Sequence, residues 1–241
     1  MSVRIHIGTS GWHYKHWRGS FYGPDVRAAD IFRFYVHQFD TVEINNSFYR
    51  LPTTKALRDW KEAAPNKFCF AVKASRFLTH MKKLKDPKPG LRRFFARVET
   101  LGRNLGPILF QLPPRWHCNF TRLSCFLAAL PGKHRAAFEF RDPTWHHQTI
   151  YDLLRRHNAA FCVYELAGFQ SPVEITADFA YIRLHGPDGA YQGSYTEKRL
   201  GVWAKQIREW QRRVNDVYVY FDNDQNGYAA LNALELKKML K

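Results

Sequence analysis

The stretch that decides the fold reads Ala136-Ala-Phe-Glu-Phe-Arg141 and, a few residues on, His147-Gln-Thr-Ile-Tyr-Asp-Leu-Leu-Arg-Arg-His-Asn158. Its first part is strand-length, apolar and aromatic, and it ends in charge. Its second part carries apolar residues at helical spacing. The same unit recurs along the chain, with apolar runs at residues 5–10, 41–45, 68–73, 108–111, 136–141, 160–165, 180–185 and 217–224. Eight strand-then-helix units predict a closed (β/α)8 barrel of the TIM type. In that architecture the carboxyl ends of all the strands open onto one face, so polar residues repeatedly placed at strand ends read as a site.

The rest of the sequence is consistent with one such barrel. A length of 241 residues fits a single barrel of about 250, and no Pro/Gly/Ser-rich linker divides it, so residues 1–241 are read as one domain. The apolar fraction of 45% supports a large core. The cysteines, Cys69, Cys118, Cys125 and Cys162, include no C-x-x-C pair, and two fall inside predicted strands, where a thiol behaves as a small hydrophobe. A reducing cytoplasm is therefore expected. Met1-Ser-Val-Arg-Ile-His6 leads straight into the first strand and no long apolar stretch occurs, so neither export nor a membrane span is expected.

Net charge is +16, from 37 Lys plus Arg against 21 Asp plus Glu. Such an excess concentrates polyanions near the surface, which favours nucleic acid, phosphorylated ligands or acidic membranes without choosing among them. The basic residues are spread over helices (Arg92, Arg93, Arg97 and Arg103; Arg155 and Arg156; Lys205, Arg208, Arg212 and Arg213) and one loop (Lys82, Lys83, Lys85 and Lys88). Charge on helix faces also reads as ordinary solvated surface. No feature of the sequence sets the oligomeric state.

Helices are predicted over 25–39, 53–64, 88–104, 119–130, 147–158, 195–214 and 228–240, punctuated by Gly-Pro or Pro-Gly breaks and capping residues. The connection 166–179, between the sixth and seventh strands, contains Gly168 and Pro172 and reads as a degenerate crossover without a helix. Strand alternation then sorts the faces. If Phe138 and Phe140 point to the helices, Ala137, Glu139 and Arg141 point into the barrel. The same rule sends Glu43, Asn45, Lys73, Gln111, Arg183, His185, Tyr218, Tyr220 and Asp222 inward. Barrel interiors are normally apolar and an unpaired buried charge is strongly unfavourable, so these groups must be paired, or solvated in a cavity, or both.

Several motifs in order now bear on the family: Gly8-Thr-Ser-Gly-Trp-His-Tyr14 with Trp17, Gly19, Phe21 and Tyr22; Val42-Glu-Ile-Asn-Asn-Ser-Phe-Tyr-Arg-Leu-Pro52; Phe70-Ala-Val-Lys-Ala74 with Thr79-His80; Gln111-Leu-Pro-Pro114; Glu139-Phe-Arg141 before Trp145; Tyr181-Ile-Arg-Leu-His-Gly186; and Tyr220-Phe-Asp-Asn-Asp224. Together they resemble the YecE-like family, catalogued as domain of unknown function 72, with Ser47 standing where the family has Thr. The resemblance implies a TIM-type barrel whose activity is not established. Its likeness to endonuclease-IV-like and sugar-isomerase-like barrels is an analogy of fold.

Chemically, Glu43 or Glu139 is read as general acid/base and His185 as proton shuttle, with Lys73, Arg141 and Arg183 as anion clamps. Ser10, Asn45, Gln111 and Asp222 are further substrate-binding candidates, and Trp12 is a stacking wall. The aromatics Tyr14, Trp17, Phe21, Tyr22, Tyr49 and Trp145 read either as a stacking surface or as core. The alternative for the charges is structural: Glu43 with Lys73, and Glu139 with Arg183, as satisfied ion pairs.

No cofactor is expected. A divalent metal on Glu43, Glu139, Asp222 and His185 has suitable donors, but Arg141 and Arg183 would repel it and the histidines are few. Asp222-x-Asp224-x-Asn226-Gly227 imitates a calcium loop, yet Ala233 stands where a bidentate Glu is required. Ser10 lacks the spacing of a nucleophile elbow.

The leading expectation is a barrel enzyme, of hydrolase or isomerase class, acting on an anionic, ring-containing substrate such as a phosphate ester or nucleic-acid component. The alternatives are a non-catalytic nucleic-acid-binding protein and a sugar isomerase or hydrolase with paired carboxylates. On the enzymatic reading the cavity around Glu139 is wet, and Glu139→Gln is expected to leave stability level or raise it.

Overall fold

Strands and returning helices alternate in the computed structural model, which describes residues 3–241. The strands are β1 (Arg4–Thr9), β2 (Thr41–Ile44), β3 (Cys69–Lys73), β4 (Leu105–Gln111), β5 (Ala136–Glu139), β6 (Ala160–Leu166), β7 (Phe169–Gln170), β8 (Phe179–Leu184) and β9 (Asp216–Phe221). The helices are α1 (Ile31–Gln38), α2 (Thr54–Ala63), α3 (Pro87–Val98), α4 (Phe120–Ala128), α5 (Gln148–Arg156), α6 (Glu197–Trp210) and α7 (Tyr228–Met239). Hydrogen-bonded neighbours run β1-β9-β8-β6-β5-β4-β3-β2, all parallel, which makes a nearly closed eight-stranded α/β barrel of the TIM type. The two-residue β7 folds back antiparallel on β6, so the 166–179 connection carries no helix.

The barrel closes between β1 and β2 by unusual means. A single bridge pairs Ser10 with Glu43, and the Gly11 amide donates to the Glu43 carbonyl at 2.8 Å. Lower down, the Tyr35 hydroxyl of α1 stands between the strands, accepting from the Thr9 amide at 3.0 Å and donating to the Thr41 carbonyl at 3.1 Å. Gly8 permits this approach, because a Cβ there would lie 2.3 Å from the Thr41 carbonyl oxygen.

Side-chain alternation splits the core in two. Outside the strands, Val42, Phe70, Phe110, Phe138, Ile182 and Val219 pack against helical residues such as Leu57, Phe94, Phe126 and Leu154. Inside, small Ala71, Ala137, Ala160 and Cys162 face Phe179, Tyr181, Tyr218 and Tyr220, a large-against-small fit that fills the lower barrel. The polar set therefore begins one layer higher, at the carboxyl ends.

Local chemistry accounts for the element boundaries. Side-chain oxygens of Thr53, Asn119 and Thr196 cap α2, α4 and α6 by accepting from the amides of Ala56, Arg122 and Arg199. The helix expected over 25–39 begins only at Ile31, after a 3-10 turn at Ala28–Asp30. The one expected over 88–104 ends at Val98 and tightens into a turn, Glu99–Asn104, because Gly102 takes φ 57°. After β3, Phe77–Met81 winds as a π-helical turn that the sequence does not announce. No helix among the described residues is long and apolar enough to cross a membrane.

Candidate active site

Arg183, near the end of β8, is the centre of the polar layer and is wholly buried. Its Nε donates to Glu43 Oε2 at 3.0 Å, and its Nη2 donates to Glu43 Oε1 at 2.7 Å and to Asp222 Oδ2 at 2.9 Å. Its Nη1 donates to Glu139 Oε2 at 2.9 Å and to His185 Nε2 at 3.1 Å. One guanidinium thus joins carboxylates from β2, the end of β5 and the segment after β9, and all its donors are engaged. Glu43 is further held by Ser10 Oγ at 2.5 Å and by the Tyr181 hydroxyl at 2.7 Å.

Glu139 also accepts from Arg141 Nε, and from Gln111 Nε2 at 3.0 Å. Burial alone would push its carboxyl up, but Arg141 and Arg183 together hold it well below the usual carboxylate range. Asp222 behaves alike: burial raises it, and the Arg183 charge with a hydrogen bond from His185 wins, lowering it. Arg141 Nη2 donates to His185 Nε2 at 2.9 Å. With two guanidinium groups donating to Nε2, that nitrogen accepts, and the proton sits on Nδ1, which donates to Asp222 Oδ2 at 3.0 Å.

Over this layer lies an open cavity of about 640 Å³ lined by Lys73, Gln111, Arg141, His80 and His146, with walls of Phe48, Tyr49, Tyr164, Phe169 and Tyr191. Gln111 and Arg141 belong to both levels, so the cavity floor is the top of the charged layer. Arg141 also stacks its guanidinium 4.9 Å from the centre of the Tyr164 ring. Lys73, the last residue of β3, is 6% exposed, and among the described residues no carboxylate lies within 4 Å of its ammonium. The ammonium sits 4.5 Å above the Phe48 ring. Burial, reinforced by the Arg183 charge, lowers Lys73 to about 8. His80, on the π-helical turn, is lowered to about 4 by burial and by Lys73, Arg76 and Arg141.

The structure divides the residues picked out by sequence into three groups. Lys73, Gln111 and Arg141 line the open cavity. Glu43, Glu139, Arg183, His185, Asp222 and Ser10 form the buried layer below, in which Arg183 and His185 have no exposed surface. Trp12 and Asn45 lie elsewhere. Trp12 packs 5.0 Å from both Phe32 and Trp60, because the loop after β1 folds outward over α1 and α2, and with Asn45 it lines a separate cavity of about 620 Å³.

The pairing differs from the expected one as well. Glu139 does pair with Arg183, but Glu43 also takes Arg183, leaving Lys73 without a carboxylate. Of the aromatics, Trp17, Tyr22 and Trp145 are fully buried core, and only Tyr49 reaches the cavity. Tyr164, Phe169, Tyr191 and His146 were not singled out by sequence; Tyr164 precedes Glu165 on β6 and alternates inward with Cys162, a signal that could have found it, whereas the other three come from connections whose path alternation does not describe.

As for metal, the proposed donors Glu43, Glu139, Asp222 and His185 all contact the Arg183 guanidinium, which supplies the positive charge at their centre. Among the described residues no group of three or more His, Cys, Asp or Glu side chains is arranged to hold a metal ion.

The family model described as "Protein of unknown function DUF72" matches residues 6–241. UPF0759 protein YunF of Bacillus subtilis (strain 168) is 25% identical, over 98% of this chain and 94% of that one. Among solved structures, a DUF72 family protein of Thermotoga maritima MSB8 superposes with a TM-score of 0.90 at 29% identity, covering 98% of this chain and 99% of that one. One from Enterococcus faecalis V583 gives 0.81 at 18% identity, covering 99% and 98%, a likeness of fold.

Proposed function

Since the chain belongs to the DUF72 family of proteins of unknown function, we propose from its own geometry that the barrel mouth is the active site of an enzyme acting on a small anionic substrate that carries a ring or other flat group. The observation that carries this reading is the placement of Lys73 and Arg141 in one aromatic-walled cavity, Lys73 without a carboxylate partner and Arg141 held from below by its Nε on Glu139 and its Nη2 on His185. An anion entering there would find two cations and the Gln111 amide, and Tyr49, Tyr164, Phe169 and Tyr191 offer faces for a ring. A lysine titrating near 8 can give or take a proton close to neutral pH, whereas the depressed Glu139 carboxyl is a poor acid. In this reading Glu43, Glu139, His185 and Asp222 are positioning residues that hold Arg183 and Arg141.

The four cysteines stand as free thiols, which fits a reducing, cytoplasmic setting. A polyanion as ligand is the second reading. It is favoured by the exposed Lys82, Lys83 and Lys85, which directly follow the turn that carries His80 into the mouth.

The test is a thermal-shift and calorimetric screen of phosphosugars, nucleotides and polynucleotides against the protein and its Arg141→Lys variant. A ligand that binds the native and not the unfolded protein raises Tm, and losing the guanidinium fork weakens that binding roughly 10- to 100-fold, in line with a charged hydrogen bond of about 1.5–3 kcal/mol. A panel in which no anion shifts the melting temperature overturns the proposal. If only polynucleotides bind, and bind the variant equally, the second reading holds.

A further inference from the structure

We propose that Lys73 is a nucleophile that forms a Schiff base with carbonyl compounds bearing a carboxylate or phosphate. This rests on the anion-binding reading of the mouth and adds a covalent step to it. A lysine attacks carbonyls only as the free amine, so the site must remove its usual partners and keep water from the adduct. Here the usual partner is missing because Arg183 takes all three nearby carboxylates, Glu43, Glu139 and Asp222. The ammonium faces the Phe48 ring on one side and the cavity on the other.

The backbone beneath it is rigid. The Ser47 hydroxyl donates to the Lys73 carbonyl at 2.6 Å, and the Ala74 amide donates to the Leu109 carbonyl at 2.8 Å. With Lys73 lowered to about 8, an appreciable share of the amine is free at neutral pH.

The other parts the reaction needs share the cavity. Arg141 provides the charge that would seat the anionic group. His80, lowered to about 4 and therefore a neutral imidazole, has Nδ1 engaged with Thr79 Oγ1 at 2.9 Å, so Nε2 is the ring nitrogen left for proton exchange. The amine lone pair forms a C–N bond while the carbonyl π pair moves to oxygen. The oxygen gains the proton shed by nitrogen, by way of His80 or water. The carbinolamine C–O bond then breaks, and oxygen leaves as water with one further proton, giving the iminium. No oxidant or reductant takes part. The iminium withdraws electrons from the adjacent carbon, which suits the site to proton exchange or carbon–carbon cleavage next to the carbonyl.

The experiment incubates the intact protein with pyruvate or dihydroxyacetone phosphate in the presence of cyanoborohydride, followed by intact-mass and peptide mapping. The expected result is a single reduced adduct on Lys73, absent in Lys73→Arg, with its rate rising as pH approaches about 8. Which of the two probes reacts identifies the anionic group. Lactate and glycerol 3-phosphate, which carry the anion without the carbonyl, report occupancy alone by thermal shift. If they raise the melting temperature and no adduct forms, the nucleophile is overturned and the anion site stands. If neither happens, both fail. Adducts scattered over exposed lysines such as Lys82, Lys83 and Lys198 also overturn the assignment.

Discussion

Arg183 and Glu43 form a two-oxygen ion pair in which neither side chain has any exposed surface, with Nη2 2.7 Å from Oε1 and Nε 3.0 Å from Oε2. Taking two such charges out of water costs several kcal/mol per ion, and only complete pairing offsets it. Glu139 and Asp222 complete the arginine's pairing, and Arg141 in turn offsets the extra carboxylate charge. The layer is consequently sensitive to any single loss, and it shapes the floor of the cavity above.

Glu139→Gln should destabilise the fold by roughly 3 kcal/mol in urea unfolding at pH 7, because two guanidinium groups lose a buried counter-charge. The sequence alone led to the opposite expectation, since it could not show that Glu139 lies beneath the cavity rather than in it. The pH dependence follows from the same site. A carboxyl lowered on folding contributes stability above its unfolded value, about 4.3, and that contribution is lost as pH falls. Wild type should therefore lose stability more steeply than the variant below about pH 4; parallel acid limbs would refute the assignment.

Lys73→Met should act in the other direction. A lysine lowered to about 8 holds its proton less tightly in the native protein than in the unfolded chain, so between about pH 8 and 10 unfolding takes up a proton and wild-type stability rises with pH. At pH 7 the buried ammonium is a cost, and the variant should be more stable by about 1–3 kcal/mol, partly offset by the lost contact with Phe48. The gap should narrow from pH 8 upward. Equal stability curves for the two proteins across that range would contradict the burial of a charged amine.

Tyr35→Phe removes the hydroxyl that joins β1 to β2, leaving the Thr9 amide and Thr41 carbonyl unpaired in a buried seam. A loss of about 1–3 kcal/mol is expected by chemical denaturation. Gly8→Ala should be worse, since its Cβ would meet the Thr41 carbonyl oxygen. A Gly8→Ala protein as stable as wild type would mean that the strands do not approach this closely.

Polynucleotide binding through surface Lys and Arg should be weak, nearly indifferent to sequence and steeply salt-dependent. With about six phosphates contacted, affinity should fall roughly 10³-fold between 50 and 200 mM salt in an anisotropy titration. Absence of binding at the lower concentration would assign the charge of +16 to another purpose.

The strand spacing and the alternation rule were legible, and they place Glu43, Glu139 and Arg183 on the inner face. Depth was not. Whether an inward residue at a strand end sits under or beside a cavity depends on loops such as the one bringing Tyr191 over His185, their rings 5.5 Å apart. Partner choice was equally hidden: Glu43 can reach Arg183 or Lys73, and the contest is decided by the guanidinium fork, which engages several carboxylates at once as an ammonium cannot. The position of Trp12, on the second cavity and not on the first, was hidden because a strand's alternation says nothing of the loop beyond it.

The pairing of β1 with β9 has a bearing on how the chain is made. Arg4 aligns with Asp216, and Thr9 with Phe221, so β1 finds its hydrogen-bonded neighbour only when β9, far along the chain, has been synthesised. Until then β1 has just the sparse seam with β2, and an unsatisfied edge stays open through most of translation. Because Asp222 follows β9 and helps to neutralise Arg183, the charged layer too is completed only then. The closing of the barrel and the completion of its charged layer thus arrive together, and a nascent chain stalled before residue 216 would carry an arginine short of a counter-ion and a strand ready to pair with a neighbour.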